Sequence, residues 1–266
     1  MHTQQELVVA LEVAGQGCRL DCSDPSFAAL LAARYAGFPA ADTPELTLRV
    51  NVTGPPRADA VEAWSGPYAR ITGRAASIVI NGVGFSGEFY EDAGRGFITL
   101  PSDPAPLETL LTAIYAGRLL SCGGVLLHAA TIVGKAGALV FFGPSGSGKT
   151  TAAELVGEGV ITDEITAIRP TADGYVVSSV PWRGCPQTAP LAGLFRLRQA
   201  AATSFTPLSP LETLRHMLPT VFFSRADARE VGRFFETVAT MARSVPAYDM
   251  GFTRDRSFWD AVPGAA

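Results

Sequence analysis

One stretch decides the fold of this chain, and it reads Gly143-Pro144-Ser145-Gly146-Ser147-Gly148-Lys149-Thr150-Thr151. It fits the pattern G-x-x-x-x-G-K-[S/T] without a mismatch. The apolar segment 138–142 precedes it and the helical pattern 151–156 follows it, which is the strand-loop-helix context that a phosphate-binding loop requires. Lys149 is one of only two lysines in the 266 residues, beside Lys135. The stretch therefore predicts an α/β fold organised around a nucleotide-phosphate site.

The residue types in this loop suit phosphate groups for separate physical reasons. Glycines let successive backbone N–H groups converge on phosphate oxygens, and a helix N-terminus adds about half a positive charge. Lys149 is predicted to reach the β- and γ-phosphates, and the Thr150 hydroxyl to bind Mg²⁺. The predicted nucleotide-binding residues are Ser145, Gly146, Ser147, Gly148, Lys149, Thr150 and Thr151. ATP or another nucleoside triphosphate, together with Mg²⁺, is the expected ligand.

Two acids, Asp163 and Glu164, follow the apolar run 160–162, and Asp163 comes 14 positions after Lys149. A strand that follows the loop helix so soon can return beside the strand that feeds the loop, which would bring its carboxylates to the same sheet edge. One carboxylate could then hold Mg²⁺, and the other could accept a proton from an attacking hydroxyl. The alternative interpretation of an Asp-Glu pair is an ordinary solvated turn.

His128 lies in the middle of the apolar run 125–133. A lone histidine in such a run is more often a hydrogen-bonded core residue than a functional one. However, a tight hairpin is predicted to pair this strand with the strand that feeds the loop, which could place His128 beside the acid pair. There it could tune the pKa of a carboxylate or stabilise transferring charge.

Composition excludes several classes of protein. The net charge of −4 gives no field for holding long nucleic acid, and 47% hydrophobic residues provide a large core. The longest apolar stretch, 119–143, is interrupted by His128, Lys135 and four glycines, so two strands are expected there and no membrane span. Four cysteines without a CxxC pair predict reduced thiols. The start of the chain lacks the basic region of a signal peptide, and a cytoplasmic protein is expected.

Two domains are predicted. Residues 1–100 are expected to form a β-rich α+β domain for support or recognition, and residues 101–266 the nucleotide-binding domain. In the first, Asp24 and Pro25 begin a helix, and the predicted strands are 7–13, 46–52, 68–72, 77–80, 84–90 and 96–100. In the second, an amphipathic helix spans 107–119 and Ser209-Pro210 caps another helix. A further core stripe comprises Val231, Phe234, Phe235, Val238 and Met241.

These motifs, in this order, resemble the HPr kinase/phosphorylase-like proteins, which are related in fold to ATP-dependent phosphoenolpyruvate carboxykinase. The similarity is clear over about residues 100–266. It rests on the segments 127–130 (LHAA), 143–151, 159–164 (GVITDE), 181–184 (PWRG), 189–197, 245–252 and Phe258-Trp259. The resemblance implies an HPr-kinase/phosphoenolpyruvate-carboxykinase-like P-loop core, with His128, Lys149, Asp163 and Glu164 as catalytic residues. It also points to the branch that accompanies clusters for modified peptides such as lasso peptides, where some members phosphorylate a serine of the precursor.

The chain departs from that family in two places. Asp163-Glu164 stands where the family usually has Asp-Asp, and we assign Asp163 the base or metal role and Glu164 the role of its partner. The Glu-Ile-Arg-Gly-type signature of phosphorylase activity is absent from the sequence. Neither that activity nor HPr as substrate is therefore expected. Arg183 is interpreted either as a phosphate or substrate contact or as a structural ion-pair donor.

The expected activity is transfer of a γ-phosphoryl group to a serine-type hydroxyl on a peptide or protein, by a possible homo-oligomer. Two alternatives stay open: a nucleotide-binding accessory or regulatory module without kinase activity, and a kinase for a small molecule such as free serine. Carboxykinase activity is not expected, because the chain is short and lacks the usual cluster of arginines and metal-binding histidines.

Overall fold

Two compact units make up the protein in its computed structural model, which describes residues 7–56, 69–73, 76–225 and 227–265. One unit consists of Met1–Gly117 with Phe223–Arg225, and the other of Arg118–Phe222 with Ala226–Ala266. Both contain helices and strands, so the chain is of the mixed α/β class. In the described parts, no helix is both long and apolar enough to span a bilayer.

The first unit is built on a seven-stranded sheet with the order β1-β2-β3-β7-β6-β5-β4. Its strands are β1 (Leu7–Val13), β2 (Gln16–Cys22), β3 (Leu46–Val52), β4 (Ala69–Gly73), β5 (Ser77–Gly82), β6 (Phe85–Tyr90) and β7 (Arg95–Leu100). β3 runs parallel to both β2 and β7, and the other neighbours are antiparallel. Leu46, Leu48 and Val50 are fully buried while Arg49 between them is exposed. This alternation gives the sheet one buried and one exposed face.

Helices α1 (Pro25–Arg34) and α2 (Ala105–Ser121) accompany this sheet. As predicted, α1 begins with Asp24 as its N-cap and Pro25 in its first turn. It contacts β1 and β2, and Arg34 in its last turn forms an ion pair with Glu108 of α2. The predicted strands of this region are confirmed with shifts of one or two residues at their ends, except that Tyr68, the predicted start of one, lies outside the described residues.

The second unit contains an eight-stranded sheet. Its strands are β8 (Val125–Gly134), β9 (Gly137–Phe142), β10 (Val160–Thr162), β11 (Ile165–Thr171), β12 (Gly174–Val180), β13 (Arg183–Gln199), β14 (Ser204–Pro207) and β15 (Ala247–Phe252). β8 and β9 form the predicted hairpin. β8 also pairs with β10 and β11, and β9 with β13. Because β12 joins β11 to β13, the strand pairing closes a circuit that returns to β8.

The helices of this unit are α3 (Lys149–Val156), α4 (Pro210–Met217), α5 (Ala228–Ser244) and α6 (Ser257–Ala261). The predicted capping box, Ser209 with Glu212, begins α4. In α5, Phe234 is buried as expected, but the prediction that Phe235 belongs to the core stripe is wrong, since it is 40% exposed. A helix turns about 100° per residue, so two adjacent phenylalanines cannot both point to the centre of one stripe.

Three neighbouring strands position the glycine-rich loop of residues 143–148. β9, β13 and β15 run parallel, so their carboxyl ends meet at one edge of the sheet. β9 reaches that edge at Phe142, directly before the loop. Phe141, Phe195 and Met250 from these strands share a core with Ala152 of α3, which therefore covers one face of the sheet.

Candidate active site

The loop of residues 143–148 joins β9 to α3, and its backbone requires glycine. Gly146 and Gly148 have φ angles of +77° and +110°, which L side chains rarely adopt. A Cβ on Gly148 would also lie 2.7 Å from Cε1 of Phe252, at the end of β15, whereas one on Gly146 would meet no atom within 4 Å. Gly148 thus lets the loop lie directly against the sheet, and Gly146 stands at its open side.

Lys149, the first residue of α3, is buried beneath this loop. Its Nζ donates hydrogen bonds to the carbonyl oxygens of Gly143 (3.0 Å) and Pro144 (3.2 Å). Burial lowers the pKa of the ammonium group from its ordinary value. An ammonium has three donors, so one remains for a further acceptor such as a phosphate oxygen.

The other predicted loop residues are distributed around this lysine. Ser145 and Thr150 are exposed and Thr151 is half-buried. Ser147 is buried, and its hydroxyl has no hydrogen-bond partner in the described part of the chain. Buried hydroxyls are nearly always hydrogen-bonded, so an unsatisfied one in this loop is the kind of group that a ligand oxygen would satisfy.

Gln199, the last residue of β13, also holds the loop and was not singled out by the sequence. Its Nε2 donates a 2.8 Å hydrogen bond to the Gly146 carbonyl oxygen. Because β13 runs parallel to β9, its last residue arrives at the same edge as the loop. The pattern before the loop contains no information about which distant strand arrives there.

Asp163 and Glu164 form a two-residue bend between β10 and β11, called here the acid bend. Both strands pair with β8, with Thr162 opposite Thr131 and Ile165 opposite His128. The expectation that the acid-bearing strand lies beside the loop-feeding strand is wrong, because β10 pairs with β8 instead of β9. The two edges of β9 are already occupied by β8 and β13.

The hydroxyl of Thr162 holds the shape of the acid bend. It donates a 2.6 Å hydrogen bond to the Arg183 carbonyl oxygen and accepts bonds of 3.2 Å each from the backbone N–H groups of Glu164 and Ile165. These N–H groups are thereby satisfied although the ladder is interrupted. Sequence reasoning missed this residue, since a threonine in a β-type run is unremarkable by itself.

The two acids differ in their partners. The side chain of Glu164 is ion-paired with Arg183, with 3.0 Å between Oε2 and Nε, and both side chains are about half exposed. Asp163 is exposed and forms no ion pair or hydrogen bond with the described residues. An exposed ion pair adds little stability, so its main effect here is to orient Glu164.

His128 is the one exposed residue in the otherwise buried first eight positions of β8. Loss of hydration through burial lowers the pKa of His128, and the positive charge of Lys149 lowers it further. The negative charges of Glu164 and Asp163 raise it, but the pKa stays below its ordinary value. A core histidine is therefore the wrong interpretation. Four side chains predicted from separate parts of the sequence, His128, Lys149, Asp163 and Glu164, lie close enough for their charges to interact.

A second charged group lies near the loop. Arg196 of β13 is opposite Phe142, the last residue of β9, and Asp249 accepts hydrogen bonds from Arg196 (2.7 Å) and Arg198 (2.8 Å). Burial raises the pKa of Asp249, but the hydrogen bonds and charges of the two arginines outweigh it and the pKa lies below its ordinary value. No sequence motif assigned a role to Arg196, Arg198 or Asp249.

The residues present fit a magnesium-nucleotide. The loop offers an unsatisfied buried hydroxyl at Ser147 and an ammonium at Lys149, and the exposed oxygens of Thr150 and Asp163 are hard ligands of the type Mg²⁺ prefers. Among the described residues no group of three or more His, Cys, Asp or Glu could hold a metal by itself. Mg²⁺ in phosphate sites uses only one or two carboxylates besides phosphate and water oxygens.

Comparison with known proteins adds nothing to this geometry. No model of a known protein family matches the sequence, and no curated protein matches it. Function is therefore inferred from the chemistry of the site.

Proposed function

We propose that this chain is a P-loop phosphotransferase of the HPr kinase-like type, which moves the γ-phosphoryl group of ATP to a serine-type hydroxyl on a peptide or protein. One observation carries the proposal: strand pairing brings the loop, His128 and the acids together. Ala129, next to His128, lies opposite Phe142 at the start of the loop, and its N–H donates a 3.2 Å hydrogen bond to the Glu164 carbonyl oxygen. Phosphoryl transfer requires a cation for the phosphates and a base for the acceptor within one site.

In this proposal the loop residues hold the triphosphate. Lys149 places its remaining N–H on a phosphate oxygen, and Ser147 donates its unsatisfied hydroxyl. Thr150 is the oxygen donor that would hold Mg²⁺, which when bound would neutralise charge on the phosphate oxygens. Gln199 keeps the Gly146 carbonyl oxygen turned away from the anion by hydrogen bonding to it.

Asp163 is the proposed proton acceptor. The acceptor hydroxyl oxygen forms a bond to the γ-phosphorus, the bond from that phosphorus to the bridging oxygen breaks, and the nucleoside diphosphate leaves. The hydroxyl proton passes to the Asp163 carboxylate, which has no partner of its own in the described residues. Arg183 holds Glu164 beside it, and His128, whose pKa is lowered, stands neutral at pH 7 as a hydrogen-bonding group.

The test is phosphoryl transfer from γ-labelled ATP to a library of serine peptides in the presence of Mg²⁺, read by mass spectrometry. We expect label on serine with the native chain, none with Lys149→Met, and labelling about 10²–10⁴-fold slower with Asp163→Asn. Tight ATP binding without any labelled peptide would instead identify a nucleotide-dependent regulatory module. Label on free serine alone would identify a small-molecule kinase.

A further inference from the structure

The exposed face of the first unit's sheet carries a groove of about 330 Å³. It is lined by Asp21, Thr47, Arg49, Asn51, Tyr90, Arg95, Gly96 and Phe97. Its volume is in the range of about 300–1,000 Å³ of ligand sites, but it lies on an open sheet face. None of its residues belongs to the candidate active site.

Strand register fixes how the groove's side chains are arranged. One row across the sheet places Thr47 of β3 opposite Arg95 of β7, which is opposite Tyr90 of β6. In the next row Arg49 lies between Asp21 of β2 and Phe97 of β7. The two arginines are therefore diagonal neighbours on adjacent strands, about 7–8 Å apart at their backbones.

Positive charge in the groove is not balanced. Asp21 forms an ion pair with Arg19 (2.6 Å). In the adjacent strand, Glu88 accepts hydrogen bonds from Ser77 (2.7 Å) and Tyr90 (3.0 Å). The side chains of Arg49 and Arg95 are exposed and make no ion pair or hydrogen bond with the described residues. Two guanidinium groups are thus available to an anionic ligand.

We propose that this groove binds an acidic peptide in extended conformation, with carboxylates at alternate positions. Residues i and i+2 of an extended chain lie about 7 Å apart on one side, which matches the spacing of Arg49 and Arg95. Guanidinium groups bind carboxylates through two parallel hydrogen bonds. Tyr90 (44% exposed) and Phe97 (39% exposed) offer apolar area beside them. That the peptide is the acceptor of phosphoryl transfer rests on the proposed function.

A peptide is favoured over a nucleic acid on grounds of charge. The whole chain carries a net charge of −4, which opposes a long polyanion, whereas a short peptide meets only the local pair of arginines. The groove also offers Thr47 and Asn51, whose side chains can hydrogen-bond a peptide backbone.

The test is fluorescence polarisation with labelled peptides and full-length protein, without nucleotide and at low salt. We expect the peptide GSESESESG to bind, the amide peptide GSQSQSQSG to bind at least about tenfold more weakly, and the clustered peptide GEEESSSSG to lie between them. Added salt should weaken the binding of the acidic peptide. Arg49→Gln with Arg95→Gln should weaken it at least about tenfold. The matched control, Arg229→Gln with Arg243→Gln, removes two exposed arginines from α5 and should not.

Thermal unfolding of each variant verifies folding, and the exposed positions of all four arginines make misfolding unexpected. Equal binding of the acidic and amide peptides, equal loss in both double variants, or preference for an oligothymidylate would overturn the proposal. Lys149→Met should keep peptide binding. Peptide binding without phosphoryl transfer would therefore contradict the kinase alone, and transfer without selective binding would contradict the groove alone.

Discussion

Arg183 forms an ion pair with the side chain of Glu164, and its carbonyl oxygen accepts a hydrogen bond from the hydroxyl of Thr162, which lies two residues before Glu164. Arg183, at the start of β13, thus holds the acid bend through both its side chain and its backbone. Of the two interpretations that the sequence allowed for Arg183, the structure shows an ion pair. It leaves Asp163 as the acid whose oxygens are open to a substrate or a metal.

Replacing the two acids one at a time should separate their roles. Asp163→Asn removes the proposed proton acceptor and should lower the rate of phosphoryl transfer by about 10²–10⁴-fold, since that is the usual contribution of a general base. Glu164→Gln should cause a smaller loss, because it removes an ion pair and no reacting group. Single-turnover transfer measures both, and ATP binding by calorimetry is the control that should change little in Glu164→Gln. A larger loss in Glu164→Gln than in Asp163→Asn would reverse the assignment.

Thr162→Val should destabilise the second unit and displace the acids. Valine has nearly the same shape as threonine, but it cannot donate a hydrogen bond to the Arg183 carbonyl oxygen. It also cannot accept hydrogen bonds from the backbone N–H groups of Glu164 and Ile165. We expect the free energy of unfolding to fall by about 1–3 kcal/mol in urea titrations, together with loss of transfer. Thr162→Ser keeps the hydroxyl and is the matched control. If both variants had the same free energy of unfolding, the hydroxyl would not be what holds the acid bend.

Two glycines of the loop form a matched pair for testing its packing. Gly146→Ala introduces backbone strain alone and should lower the free energy of unfolding by about 1–2 kcal/mol. Gly148→Ala introduces similar strain and also a methyl group that meets the ring of Phe252, so its loss should be larger. Urea unfolding measures the difference. In a Phe252→Leu background Gly148→Ala should cost less than in the native chain, and an equal cost in both would exclude the ring as the cause.

The lowered pKa of His128 predicts a pH dependence of stability. Its pKa in the folded chain lies below the ordinary 6.5 of the unfolded chain, so the unfolded state binds more protons in the window below 6.5. The free energy of unfolding should therefore decrease as the pH falls below about 6.5. His128→Gln should reduce this decrease, which chemical unfolding at pH 7 and pH 5 measures. His216 and Asp249, whose pKa values are also lowered, should contribute to the decrease that remains.

Local pattern was sufficient for most of the secondary-structure elements of the first unit. The strand from Leu7 to Val13 and the cap at Asp24 are as predicted, since both depend on neighbours in sequence. β2 (Gln16–Cys22) was missed, because Gln16, Arg19 and Asp21 interrupt its apolar residues although most of the strand is buried. The predicted hairpin of β8 and β9 brings His128 to the loop, whereas the pairing of β8 with β10 and β11 brings it to the acids.

Which strands lie side by side in the sheet could not be predicted from the sequence. A period of two shows which face of a strand is buried, but not which strand lies beside it. For this reason the neighbour of β10 was predicted wrongly, and the contacts of Gln199 and Arg183 were not predicted. The groove around Arg49 and Arg95 depends on the parallel pairing of β3 with β7, whose sequences are some 40 residues apart.

If Lys149, Asp163, Glu164 and His128 form one electrostatic site, the charge of each partner should shift the pKa of His128, which NMR titration of its imidazole measures. Its imidazole resonance is assigned by its absence in His128→Gln. We predict a pKa below 6.5 in the native chain, a higher pKa in Lys149→Met and a lower one in the double variant Asp163→Asn with Glu164→Gln. An ordinary pKa that neither variant changes would show that the loop and the acids do not meet at this histidine.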